Sequence, residues 1–318
     1  MRRALALLFT LVAVAGCEGD PPIEGGPGSG LAWETLAPMP TPRTEVAAAA
    51  SGGTIVVVGG FDADGDTVDT VELYDVDADE WSAGPPLPAA VDHAMAASDG
   101  ETVYVFGGYD ADRLPTVGAF AFRDGEWAVL DDPMPEPRAA GGAAYVDGLV
   151  FVAGGIGPDG LADRTMVLEV ETGRWTLGGG LVVPREHLAV TGLDGIVYAV
   201  GGRVGGLGGN LNTLERLRPS TGRWEIQASM PTARGGLGAA AGAGLVIAVG
   251  GEEEPGTFPE AEAYDPTGRS WSALPGLPTA RHGLGVVVAG AVLFVIGGGP
   301  EPGLSVSGVV EALDLRTV

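Results

Sequence analysis

Three histidines, His93, His187 and His282, are the only imidazoles in the 318-residue chain. Two of them follow a carboxylate directly, as Asp92-His93 and Glu186-His187. Imidazoles converging on one point hold transition metals elsewhere. Arg203 stands with the carboxylates Glu186, Glu252 and Glu253, and a mixture of such groups could grip a polyol or a cationic partner segment. Tyr109-Asp110 and Phe61-Asp62 add two aromatics and two further acids. Other chemistries are excluded by what is missing. All 17 basic residues are Arg, so no lysine Schiff base and no phosphate-loop lysine exists. The formal net charge is −25, which argues against a nucleic-acid or anionic-membrane surface, since both need a basic footprint.

The single cysteine, Cys17, has a different reading. Met1, Arg2 and Arg3 form a short positive segment, and the run from Ala4 to Gly16 is almost wholly apolar and too short to span a bilayer. It ends Val14-Ala15-Gly16-Cys17, which resembles a bacterial lipobox, whose cysteine is acylated and becomes the mature N-terminus. Residues 1–16 are thus expected to be a lipoprotein signal peptide. Residues 17–32 are read as the lipidated Cys17 and a Gly/Pro-rich tether, because Gly and Pro dominate them without apolar periodicity. Glu18 after the cysteine favours an outer-membrane or surface address by the same resemblance. Lipid on Cys17 would be the only membrane contact, and no disulfide within the chain is possible.

Positioning elements emerge from an internal repeat. Glycine doublets recur every 47 to 49 residues, at Gly59-Gly60, Gly107-Gly108, Gly154-Gly155, Gly201-Gly202, Gly250-Gly251 and Gly297-Gly298. Trp33, Trp81, Trp127, Trp175, Trp224 and Trp271 keep the same phase, as do Arg43, Arg138, Arg185, Arg234 and Arg281, with Val91 in the second unit. Each unit has a small-residue run, an apolar run ending in the doublet, a segment such as Val71-Glu72-Leu73-Tyr74, and a segment carrying the Trp. Asp-Gly and Thr-Gly pairs between them predict hairpin turns of positive φ. Four antiparallel strands per unit make a β-propeller blade, and six units make an all-β, six-bladed propeller over residues 33–318. Trp33 precedes the first doublet while no Trp follows the last, so the strand around Trp33 must complete the blade formed by residues 281–318.

Glycine doublet, Tyr position, Trp and then Met-Pro-x-x-Arg (Met39 to Arg43; Met230 to Arg234) resemble the kelch repeat, in six copies. The Tyr position is assigned to Tyr74, Phe122, Val170, Leu217, Tyr264 and Leu313. Residues recurring at one register are scaffold: Trp packs between blades, the doublets allow close approach or unusual φ, and the Arg register ties connections together. Loops after the doublets and connections after the Arg register emerge on one face, and variable loops on a rigid scaffold carry function. Ligand-binding candidates on that face are Asp62, Asp92, His93, Tyr109, Asp110, Glu186, His187, Arg203, Glu252, Glu253 and His282. They form either a ligand-gripping pocket or a solvated acidic rim.

No metal and no cofactor is assigned. His282 lies one residue past the Arg register and the other two histidines lie two past it, so a strand would turn His282 away. A six-bladed channel is also wide for three imidazoles to share one ion. Asp62-Ala63-Asp64-Gly65-Asp66 fails the EF-hand pattern, since Leu73 stands where its last ligand should be. Two function classes remain. One is a non-catalytic binding module, a monomer presenting its long-loop face to a protein or glycan. The other is a sugar-active enzyme resembling the kelch-type sialic-acid mutarotases. Galactose-oxidase chemistry, which the resemblance also brings to mind, is excluded because it needs a cysteine that Cys17 cannot supply. Catalytic residues are not assigned.

Overall fold

The computed structural model describes residues 30–318; the expected signal segment, Cys17 and most of the expected tether lie outside them. Six four-stranded antiparallel sheets follow one another around a central channel. In blade one the strands run Ala47–Ser51, Thr54–Val58, Val71–Asp75 and Glu80–Ala83, in that order from the axis outward. The next four blades repeat this pattern. Blade six takes its inner strands from Gly285–Ala289, Val292–Ile296 and Val310–Asp314, and its outer strand from Trp33–Thr35, with Trp33 opposite Leu313. The expected closure by the N-terminal strand is therefore present. No helix among the described residues is long and apolar enough to cross a membrane.

Second strands are apolar at nearly every position because both faces of each sheet are covered by neighbouring blades. Val56, Val57 and Val58 are all buried, for example. The core is accordingly not one cluster but six, each between consecutive blades. Val56, Val58 and Val71 of blade one meet Val103, Val105 and Phe120 of blade two, and Tyr74 of blade one meets Phe294 and Ile296 of blade six.

Each repeated residue has one task. The indole N–H of every Trp donates to the preceding blade over 2.8 to 3.1 Å, Trp81 to the Ala37 carbonyl and Trp33 to that of Pro275; Trp224 alone uses a side chain, Thr165 Oγ1. In the doublets the first glycine has φ between 58° and 69° and the second between 86° and 119°. The second also donates its N–H to the Arg-register carbonyl of the next blade, from Gly60 to Val91 around to Gly298 and Arg43, always over 2.8 to 2.9 Å. These bonds close a ring of six seams. A Cβ on Gly107 would sit 2.1 Å from the Arg138 carbonyl oxygen, so both the sign of φ and the close approach demand glycine there.

Two details of the repeat are corrected. Leu168, not Val170, holds the Tyr position in blade three, because Leu168 stands opposite Trp175 as Tyr74 does opposite Trp81. In the turn after Asp265, Arg269 carries the positive φ instead of Gly268.

Candidate functional site

The connection after each Arg-register residue crosses the channel mouth. Its first residue bridges to the residue after the glycine doublet, giving the pairs Thr44 and Phe61, Asp92 and Tyr109, Ala139 and Ile156, Glu186 and Arg203, Gly235 and Glu252, His282 and Gly299. Its second residue is Glu45, His93, Ala140, His187, Gly236 or Gly283, and all six have φ between 51° and 67°. There the chain turns inward. Each of these residues bonds the next through its backbone, His93 N–H to Glu45 O, Ala140 to His93 and onward until Val46 N–H reaches Gly283 O, over 2.8 to 3.3 Å. Three non-glycine residues with large polar side chains hold a left-handed conformation here, a strain of about 1–3 kcal/mol each that recurs at binding and active sites. A Cβ on Gly283 would lie 2.7 Å from the Glu45 carboxyl, so glycine makes room for that carboxylate.

Side chains from this ring fill the mouth. His93 Nε2 lies 3.0 Å from His187 Nε2 and 3.3 Å from Glu45 Oε2. Ala140, between the two histidines in the ring, is too small to keep them apart. His93 Nδ1 bonds Asp92 Oδ1 at 2.5 Å, and His187 Nδ1 abuts Glu186 Oε2. Asp92 also accepts from Thr67 Oγ1 at 2.7 Å and Arg113 Nη1 at 3.1 Å. Arg113 in turn lies over the rings of Phe61 and Tyr109. Arg203 donates to Glu186 Oε1 at 3.0 Å and Glu252 Oε1 at 2.7 Å, while Gly303 N–H takes Glu252 Oε2. His282 Nδ1 lies 3.3 Å from Glu45 Oε1 and 3.6 Å from Glu252 Oε2, and its Nε2 bonds the Glu301 carbonyl.

Electrostatics follow from this enclosure. Burial alone would raise the Glu45 carboxyl, but the imidazoles of His93, His282 and His187 overcome it and hold that group well below the usual carboxylate range. Burial, then the neighbouring His93 imidazole, push His187 far below the ordinary histidine value, toward the neutral ring. Burial would lower His282 as well, yet its hydrogen bond to Glu45 and the charges of Glu45 and Glu252 turn the shift upward. The Tyr109 phenol is raised by burial against the opposing charge of Arg113.

Seven of the eleven sequence candidates, Asp92, His93, Glu186, His187, Arg203, Glu252 and His282, thus meet in one network, and Tyr109 stacks edge-on against His93. They are largely buried, which replaces the solvated-rim expectation with a polar plug. Two of the three imidazoles, His93 and His187, touch, and His282 reaches the other oxygen of the Glu45 carboxylate that His93 meets. Arg203 is not among the residues lining the channel cavity, its guanidinium being matched by two carboxylates. Asp62, Asp110 and Glu253 are not part of the network. Asp62 Oδ1 accepts the N–H groups of Asp64 and Asp66, and Asp110 Oδ1 those of Asp112 and Leu114, so both shape their own loops. Glu253 is exposed in a turn. Sequence reasoning missed Arg113, whose only signal was a lone basic residue on an acidic face.

The family model described as the KLHDC2/KLHL20/DRC7 Kelch-repeats domain matches residues 45–178, and the Kelch motif matches residues 184–231. Kelch-like protein 41a of Danio rerio is 30% identical over 173 residues, 54% of this chain and 29% of that protein. Kelch-like protein 40 of Mus musculus is 33% identical over 174 residues, 54% of this chain and 28% of that protein. The match therefore spans less than a third of the length of either relative.

Proposed function

This chain is a kelch-repeat six-bladed β-propeller, and from that premise we propose that it is a non-catalytic binding module of a bacterial cell envelope, lipid-anchored through Cys17, whose long-loop face engages a protein. The observation that carries the reading is the surface around the plug. Leu114, Val204 and Leu304 stand 60%, 42% and 61% exposed on the loops after the doublets of blades two, four and six. Exposed Asp64, Asp66, Asp112, Glu253, Glu254 and Glu301 are interspersed with them. Apolar contacts set among carboxylates suit a partner segment that is both apolar and basic, with the acids guiding encounter and the leucines and valine supplying buried area. A glycan would instead need convergent polar groups in an open pocket, and the polar groups here bond one another.

A photo-crosslinking residue placed singly at Leu114, Val204 and Leu304 tests the face, with Val129 and Ile226 on the outer strands as comparison positions. Specific protein adducts from the three loop positions, absent from the outer strands, are expected. Adducts confined to the outer strands, or none from the loops, would refute it. The anchor has its own test. Lipidated chain in the membrane fraction, released by Cys17→Ser, is the expected result; equal partition of both would remove the anchor and leave the face intact. The address rests on the sequence of residues 1–18 alone.

A further inference from the structure

We propose that Glu45, His93 and His187 form a binding site for one first-row divalent transition ion of the zinc class, at the axis of the channel mouth. The three donors come from blades one, two and four, and their ligating atoms all lie within 4.8 Å of one another. Donors about 2.0–2.1 Å from a tetrahedral ion stand roughly 3.3 Å apart. The observed separations of 3.0 Å between the two Nε2 atoms and 3.3 Å from His93 Nε2 to Glu45 Oε2 are close to that value.

The carboxylates on the far side of each ring give the independent argument. His93 Nδ1 meets Asp92 Oδ1, and His187 Nδ1 meets Glu186 Oε2. A carboxylate only accepts, so His93 Nδ1, hydrogen-bonded to Asp92, carries the proton, and in the neutral ring its Nε2 presents a lone pair. That lone pair, His187 Nε2 at 3.0 Å from it and a Glu45 oxygen at 3.3 Å together offer three donor atoms to one cation. A carboxylate behind the distal nitrogen is also the arrangement that orients a metal-bound histidine. Both carboxylates are fixed in turn, Asp92 by Thr67 and Arg113, Glu186 by Arg203. When the ion enters, any proton shared between the two Nε2 atoms leaves to solvent.

Two imidazoles and one carboxylate favour zinc-class ions over calcium or magnesium, which take oxygen ligands. All three side chains line a channel cavity of about 140 Å³, giving the ion a route in and a place for a fourth ligand. A second trio, Glu45, Glu252 and His282, is less suited, because Arg203 and Gly303 already occupy the two Glu252 oxygens.

The test is titration of chelator-stripped full chain with Zn²⁺ by calorimetry, in a Cys17→Ser background so that the thiol takes no ion. X-ray absorption of the unsubstituted site is recorded alongside. One ion per chain and two imidazole ligands are expected. Affinity should fall about 10- to 100-fold in Asp92→Asn and Glu186→Gln, fall further in His93→Ala and His187→Ala, and stay unchanged in Asp62→Asn. No binding, an affinity insensitive to the histidines, or a spectrum showing oxygen ligands alone would each overturn the site. Should the histidine variants fail to fold, the spectrum of the unsubstituted site decides.

Discussion

Arg234 shows how one buried charge is made tolerable. Its guanidinium, fully buried, donates to the carbonyls of Gly250 and Glu260 and to Glu262 Oε2. Burial lowers its pKa while Glu262 pulls it back up. Arg43, Arg185 and Arg281 pair likewise with Glu72, Glu215 and Glu311. Blade two replaces both partners at once, with Val91 in the arginine place and Phe120 in the glutamate place, packed in one apolar cluster. Blade three keeps Arg138 but has Met166 opposite, and Arg138 takes Glu136 from its own connection instead. A buried pair costs most when only one member is removed. Arg234→Val alone should therefore lose about 3–5 kcal/mol in urea unfolding, and Arg234→Val with Glu262→Phe should recover part of that loss. A double variant no more stable than the single one would show that the carbonyl bonds, not the ion pair, hold the connection. The arginine register was legible because it repeats, whereas its glutamate was not. Their spacing drifts between 28 and 30 residues, and only the strand pairing brings them together. The same limit hid the meeting of His93 with His187, which lie 94 positions apart and touch only because Ala140 between them is small.

The strand Trp33–Thr35 is three residues long, yet it supplies the outer edge of blade six. It pairs with Val310–Asp314, and Leu36 N–H and Met39 N–H continue the contact to Val310 O and Gly308 O. Trp33 also reaches Pro275 of blade five, and Ala37 receives the Trp81 indole of blade one. A chain starting at residue 38 should thus lose bonds to three blades at once and melt well below a chain starting at residue 30; equal melting temperatures would refute the closure as a stabilising element. Strands and closure were readable from the sequence because apolar runs and turn pairs are local signals. The channel mouth was not, because its left-handed residues Glu45, His93 and His187 are of types seldom found there, and their conformation is imposed by the ring of backbone bonds between blades.

At the scale of the whole molecule the 318-residue chain bears a net charge of −25, nearly all of it on the closed ring. Few of these acids are matched at the surface, and pairs such as Arg123 with Glu101 are open to solvent, where an ion pair contributes little. Self-repulsion is therefore a general load on the fold that dissolved salt relieves, because the Debye length shrinks from about 30 Å at 0.01 M to about 8 Å at 0.15 M. The buried arginine pairs are screened much less and should persist. Raising ionic strength over that range should raise the melting temperature. The same salt acts in the opposite direction on a basic partner at the loop face, whose encounter is driven by the exposed carboxylates around Leu114, Val204 and Leu304, so its association rate should fall while its dissociation rate changes little. Measuring both on one preparation separates the two roles of the charge. A melting temperature that falls with salt would mean that surface ion pairs outweigh repulsion, and a salt-independent association rate would remove the acidic face from partner recognition.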